Sequence, residues 1–153
     1  PLFDAVLARQ PVRPLDFHRR MQAVRAFHTM PEAASLAAAN KRIRNILRKA
    51  ETVIPDHCQA GLLHEPAERN LAAAIEQQAS RVGPLFERRE YSTALQRLAT
   101  LQAPVDRFFD EVMVMADDAA LRDNRLALLN TLSELFLRVA DISLLQLGSS
   151  ATP

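Results

Sequence analysis

Apolar residues recur along the chain at the three-to-four-residue spacing of helices, not at the alternation of strands. The spacing predicts a short helix from Leu2 to Arg9, with Leu2, Phe3, Val6 and Leu7 on one side. Pro11 and Pro14 are expected to end it, because proline lacks an amide donor and restricts the residue before it. Leu15 to Thr29 reads as a second helix, with Phe17, Met21, Val24 and Phe27 in register. Pro31 suits the first turn of a third helix, and Glu32 sits favourably beside its positive end. That helix is expected to run to about Ala50.

Glu51 to Glu65 holds Pro55, Asp56 and Gly61 with no sustained period, and reads as a loop with room for one helical turn. Pro66 opens a fourth helix to about Val82. Gly83-Pro84 is expected to interrupt it, leaving Leu85 to Arg89 as a kinked or separate turn. Ser92 is a candidate cap for a helix from Thr93 to Leu101. Pro104 starts another, carrying Val105, Phe108, Phe109, Val112 and Met113. Asp117 and Asp118 are placed to cap the last and longest helix, running to about Leu147. Its apolar residues, among them Leu121, Leu126, Leu128, Leu129, Leu132, Leu135 and Phe136, nearly encircle the axis, as in the central helix of a bundle. Asp118 with Arg122 and Glu134 with Arg138 are spaced for i,i+4 pairs, each worth a few tenths of a kcal/mol.

Composition supports this pattern. The apolar fraction of 48% is enough for a core, and the near absence of glycine, at 3 residues, suits helix. Ala and Leu favour helix, while strand-formers are sparse. The expected fold is an all-α bundle of about six to seven helices with a long central C-terminal helix. It would form one domain over residues 1–147, with a flexible polar tail at 148–153. Pro1 already lies inside a helical pattern with no initiator Met, which suggests a segment of a longer protein. No charged-then-apolar leader opens the chain, and no apolar run is long enough to span a bilayer. The single cysteine, Cys58, allows no internal disulfide and fits a reducing, cytoplasmic setting.

The net charge of +1 hides an imbalance. Residues 1–58 hold 10 Lys/Arg against 5 Asp/Glu, and residues 59–153 hold 9 against 13. One face turned toward a polyanion gives this pattern, and so does uneven sampling of an ordinary charged surface. The basic residues concentrate in Asn40-Lys41-Arg42-Ile43-Arg44-Asn45-Ile46-Leu47-Arg48-Lys49. On a helix Lys41, Arg44 and Arg48 share a face, with Asn45 beside them. Arg42 and Lys49 lie on the neighbouring face, and Ile43, Ile46 and Leu47 point toward a core. Such a ladder suits phosphate contacts, and its amide and guanidinium groups can also read exposed base edges. A solvated helix face has the same appearance. Arg19, Arg20 and Arg25 add to the basic half.

Other constellations carry less. His57, Cys58 and His64 lack a fourth ligand at zinc spacing, so no metal is expected. Asp117-Asp118 falls at a helix start and Asp110-Glu111 on a helix face, where carboxylates need no catalytic role. No glycine-rich phosphate loop and no nucleophile elbow occur. One of Phe108 and Phe109 could serve as a stacking platform for an unpaired base, although core packing explains most of that patch.

Three segments together resemble one family. They are Glu32-Ala33-Ala34-Ser35-Leu36-Ala37-Ala38-Ala39-Asn40-Lys41-Arg42-Ile43-Arg44-Asn45-Ile46-Leu47; Pro104-Val105-Asp106-Arg107-Phe108-Phe109-Asp110-Glu111-Val112-Met113-Val114-Met115; and Leu121-Arg122-Asp123-Asn124-Arg125-Leu126-Ala127-Leu128-Leu129, followed by Leu137-Arg138-Val139-Ala140-Asp141-Ile142-Ser143. Their order is similar to the carboxy-terminal region of the bacterial glycyl-tRNA synthetase β subunit, from about Phe3 to Leu147. That region is similar to the DALR anticodon-binding domains. The corresponding stretch here is Ala119-Ala120-Leu121-Arg122, so the Asp of the motif is missing.

The resemblance implies a helical bundle that docks the anticodon stem-loop of glycine tRNA. Lys41, Arg42, Arg44, Arg48 and Lys49 would neutralise phosphates. Asn40 or Asn45, with Arg122, Asn124 or Arg125, would hydrogen-bond unstacked loop bases. The resemblance further implies that glycine activation, with ATP and Mg, takes place elsewhere, on the α subunit of an α2β2 ligase. This region would hold no catalytic residue and no cofactor, and its protein partners would be the rest of the β subunit and the α subunit. The anticodon domain of another synthetase, such as arginyl, and a helical module for subunit assembly are the alternatives.

Overall fold

A computed structural model of the chain describes residues 2–8 and 13–145. Among them are seven α-helices, two 3-10 turns and no strand, so the all-α expectation holds. The helices are α1 (Leu2–Leu7), α2 (Pro14–His28), α3 (Ala33–Lys49), α4 (Pro66–Glu87), α5 (Tyr91–Ala99), α6 (Gln102–Glu111) and α7 (Ala119–Leu137). The 3-10 turns are Ala60–Leu62 and Ile142–Leu144. Expectations placed on Arg9, Pro11, Leu147 and residues 148–153 fall outside the described residues.

Helix starts follow capping chemistry. Pro14 opens α2 instead of ending α1, since its fixed φ and missing N–H suit the first helical position. Pro66 opens α4 behind a capping box, in which Glu68 Oε1 accepts from the Glu65 N–H at 3.0 Å. Asp118 caps α7, its carboxylate accepting from the N–H groups of Ala120 and Leu121 at 2.9 and 3.2 Å. Pro104 falls third in α6, where its missing donor is again harmless because the first four N–H groups of a helix have no internal partner.

Other expectations differ from the structure: Pro31 and Glu32 precede α3, which starts at Ala33, and α6 ends at Glu111, before Val112 and Met113. Four more need correction. First, α4 runs unbroken through Gly83-Pro84 to Glu87. A proline inside a helix costs about 3 kcal/mol and a glycine about 1. Burial of Leu85 and Phe86 in the following turn returns about 1.5–3 kcal/mol each, so packing balances the local penalty. Second, α4 ends in a Schellman motif built on Arg89, at φ 58°, where glycine is usual. Its N–H donates to the Phe86 carbonyl at 3.0 Å, and the Glu90 N–H donates to Leu85 at 2.8 Å. The chain then turns directly into α5 at Tyr91, so Ser92 lies inside that helix and caps nothing. Third, α7 stops at Leu137, not near Leu147, and its 19 residues are fewer than the 22 of α4. The carbonyls of Arg138 and Val139 at its end accept from Arg20 Nη1 at 2.8 and 2.7 Å. This cap comes from α2, so nothing local in the sequence signals it. Fourth, Asp118 is engaged as a cap, and Arg122 Nε sits 3.6 Å from Asp123 instead. Arg138 lies over the ring of Phe86 at 4.4 Å.

The core lies around α7. Leu126, Ala127, Leu128 and Leu129 are all buried, and four consecutive helical residues sample the whole circumference. α3 packs against α6, α7 and the Ile142–Leu144 turn; α4 packs against α5, α6 and α7; α2 packs against α5. A polar clasp joins α2 to α5: the Tyr91 hydroxyl donates to Asp16 Oδ1, and Arg20 Nε donates to Asp16 Oδ2 at 2.7 Å. Arg20 also lies over the Tyr91 ring at 4.5 Å. No helix among the described residues is long and apolar enough to cross a membrane.

Candidate nucleic-acid interface

The candidate interface lies on α3. Leu36, Ala39, Asn40 and Ile43 form its buried stripe, and Ile46 and Leu47 are half-buried against the core. Burial of that stripe turns the other side of the helix outward. Lys41, Arg42, Arg44, Arg48 and Lys49 are all exposed. Arg48 and Lys49 also sit in the last turn, where cations are favoured by the helix dipole.

Their partners differ. Arg44 Nη1 is 3.0 Å from Asp141 Oδ2 and from Ser143 Oγ, which fastens α3 to the segment after α7. Arg48 donates to Asn45 Oδ1 at 3.0 Å, leaving the Asn45 amide nitrogen free to donate outward. Arg42 lies over the Phe109 ring at 4.3 Å. Lys41 and Lys49 make no hydrogen bond or ion pair with another described residue. A shallow depression of about 320 Å³ is lined by Ala38, Lys41, Arg42, Asn45, Ile46 and Lys49. A second depression, of about 350 Å³, lies between α3 and α7, where Arg44 and Asp141 flank Asn130 and Ser133.

Three residues expected to read bases are instead buried. Asn40 donates to the Leu36 carbonyl at 2.9 Å within α3. Asn124 pairs with the backbone of Gln59, its Nδ2 donating to the carbonyl at 3.1 Å and its Oδ1 accepting from the N–H. It thereby pins the 51–65 loop to α7. Arg125 donates to Glu68 Oε1 at 2.8 Å and to the Met113 carbonyl at 2.7 Å, joining α7, the start of α4 and the loop after α6. The signal was present in the sequence: Asn124 and Arg125 belong to a helix that is apolar almost all round, and Asn40 lies between Leu36 and Ile43 on one stripe. Arg122 remains half-buried at the surface. The exposed basic side of α3 and the Arg125 side chain therefore do not line a common groove.

Phe108 is fully buried, and Phe109 is half-buried beside it with ring centroids 5.5 Å apart at 80°. Arg19 and Arg25 are exposed, whereas Arg20 is spent on the clasp. His57 and His64 are exposed and Cys58 is half-buried. Burial, with the Glu68 carboxylate adding to it, pushes the Cys58 thiol above its ordinary range, so it is held as a neutral thiol. Among the described residues no three His, Cys, Asp or Glu side chains are grouped to hold a metal ion.

Comparison with known proteins fits this arrangement. Residues 36–143 match the DALR anticodon binding domain, a span that opens in α3 and closes after α7. The chain is 60% identical over 145 residues to the glycine–tRNA ligase β subunit of Marinobacter nauticus, covering 94% of this chain and 21% of that protein. It is 58% identical to the same subunit of Edwardsiella ictaluri, over 94% of this chain and 21% of that protein. For Aeromonas salmonicida the identity is 56%, over 93% and 21%. The chain thus spans about a fifth of the length of these relatives. The stretch Ala119-Ala120-Leu121-Arg122 forms the first turn of α7, with Asp118 immediately before it as the cap. With the match covering most of its length, the chain belongs to the DALR anticodon-binding domain family.

Proposed function

We propose that the chain binds the anticodon stem-loop of glycine tRNA, as the recognition part of a bacterial glycine–tRNA ligase β subunit. The observation that carries this reading is the exposure of Lys41, Arg42, Arg44, Arg48 and Lys49 along α3, within a member of an anticodon-binding family. From Lys41 to Lys49 the ladder spans about 12 Å at the helical rise of about 1.5 Å per residue. That is long enough to meet more than one phosphate of a stem. Phosphate contacts fix position, and specificity needs a second group that touches bases. Asn45, through its free amide nitrogen, and Arg122 are the exposed or half-exposed members of the original set able to do so. Asn40, Asn124 and Arg125 act indirectly, by holding α3, the 51–65 loop and α7 in place.

In this reading the domain supplies recognition and no bond-making group. Glycine activation with ATP and Mg belongs to the α subunit of an α2β2 ligase in the cytoplasm. Phe3, Leu7 and Leu15 are large, apolar and about half exposed. They support contact with the rest of a longer β subunit or with the α subunit, and are the specific observation that favours an assembly role beside tRNA binding. A panel of purified tRNAs tests the main reading. Glycine tRNA should be retained by the chain in preference to arginine tRNA. Equal retention of all tRNAs would leave only a nonspecific polyanion site.

A further inference from the structure

The sequence suggested that a phenylalanine could offer its face to an unpaired base. Phe109 cannot do so alone, because the Arg42 guanidinium carbon lies 4.3 Å above its ring centroid. We infer that Arg42, stacked on Phe109, is the platform on which an unpaired base of the bound RNA loop rests. The inference depends on the stem-loop reading above.

Four observations carry it. The half-buried Phe109 ring packs in an edge arrangement with Phe108, which is itself fully buried. The guanidinium over that ring keeps less side-chain freedom than a solvated arginine. Arg42 is exposed, and it makes no hydrogen bond or ion pair with another described residue. Its outer face and its in-plane N–H groups remain available. Lys41 and Lys49, unpaired among the described residues, rim the same depression and are placed for the phosphates on either side of a splayed base. Asn45, whose oxygen accepts from Arg48, lines the same depression and keeps its amide nitrogen as a donor. Arginine planes and aromatic rings are the surfaces on which proteins stack unpaired RNA bases. Here the two are combined: the ring orients the cation, and the cation presents the stacking face. Lysine at position 42 would keep the charge and lose the plane.

The test uses the 153-residue chain and an RNA stem-loop carrying the glycine anticodon, with 2-aminopurine placed at one loop position at a time. For the wild type, fluorescence should change on binding at one or more loop positions, as stacking alters the probe. Arg42→Lys should abolish that change and weaken binding about tenfold, with the salt slope unaltered. Phe109→Leu, which frees the guanidinium without touching charge, should act in the same direction. Circular dichroism of both variants should remain that of the wild type. If Arg42→Lys binds as tightly as wild type with the same fluorescence response, the platform is wrong while stem-loop binding stands. If wild type fails to bind the stem-loop even at low salt, the underlying reading falls and the platform with it.

Discussion

Arg125 and Glu68, 57 positions apart, meet in an ion pair of 2.8 Å that is almost wholly closed to solvent. The same Glu68 oxygen accepts from the Glu65 N–H, and the same guanidinium reaches the Met113 carbonyl. One buried pair thus fixes the start of α4, the middle of α7 and the loop between α6 and α7. Removing one partner leaves a buried charge without compensation. Arg125→Ala should destabilise the fold by about 3–5 kcal/mol, read from urea unfolding. Stem-loop affinity per folded molecule should stay within about twofold of wild type. A large loss of affinity without a loss of stability would restore Arg125 as a base reader.

The Asn124–Gln59 pairing makes a narrower prediction. Asn124→Ala removes the two hydrogen bonds that tie Gln59 of the 51–65 loop to α7 and leaves the Gln59 backbone groups without them. The loss should be about 1–3 kcal/mol. Hydrogen exchange in residues 51–65 should quicken more than in α4 or α5. Uniform acceleration across the chain would show that Asn124 acts on the whole fold and not on the loop.

Acid should weaken the clasp between α2 and α5. Burial pushes the Asp16 carboxyl up, but hydrogen bonds from Tyr91 and Arg20 and the nearby guanidinium charges outweigh it and hold it below the ordinary range. A carboxyl with a lowered folded pKa contributes stability above its unfolded value, near pH 4, and loses it as pH falls through the folded value. Stability should therefore drop below about pH 4. Tyr91→Phe removes one of the two donors, so it should cost about 1.5–3 kcal/mol at pH 7 and flatten the acid limb. Urea melts at pH 7 and pH 3 on both proteins check this. An equally steep acid limb in Tyr91→Phe would assign the acid sensitivity to other carboxylates.

The cations of α3 should behave as separable phosphate contacts. Lys41→Ala and Lys49→Ala should each weaken binding to any stem-loop uniformly and reduce the salt slope by about 1. Arg44→Ala should lower stability as well, because Arg44 also ties α3 to Asp141 and Ser143. Binding isotherms at several salt concentrations separate the two kinds of effect. Unchanged slopes for Lys41→Ala and Lys49→Ala would remove α3 from the RNA interface.

The sequence was most legible where structure is local. Pro66, Asp118 and the apolar stripe of α3 are governed by capping and by period, and all could be read directly. The end of α7 could not, because the guanidinium that caps it comes from Arg20, more than a hundred residues away. The continuity of α4 through Pro84 depends on how much apolar area Leu85 and Phe86 bury, a tertiary quantity. For the candidate interface, the basic residues of α3 are visible as a run, and their exposure follows from the stripe opposite them. Asn40, Asn124 and Arg125 are buried, and they read as surface residues only when polar type is given more weight than position. Each lies on an apolar stripe or within an apolar helix, where a polar side chain finds its partner inside the fold.

Specific recognition of the glycine anticodon loop can be measured on two RNAs. The measurement is the affinity of the chain for the glycine anticodon stem-loop and for the same stem with a substituted anticodon, at about 50 and 200 mM salt. The glycine loop should bind about tenfold tighter or better at both salts, as expected when a paired base contact is lost. Both should weaken by about 20- to 150-fold between the two salts, the loss expected for three to four phosphate contacts. Equal affinity for the two loops would contradict specific recognition.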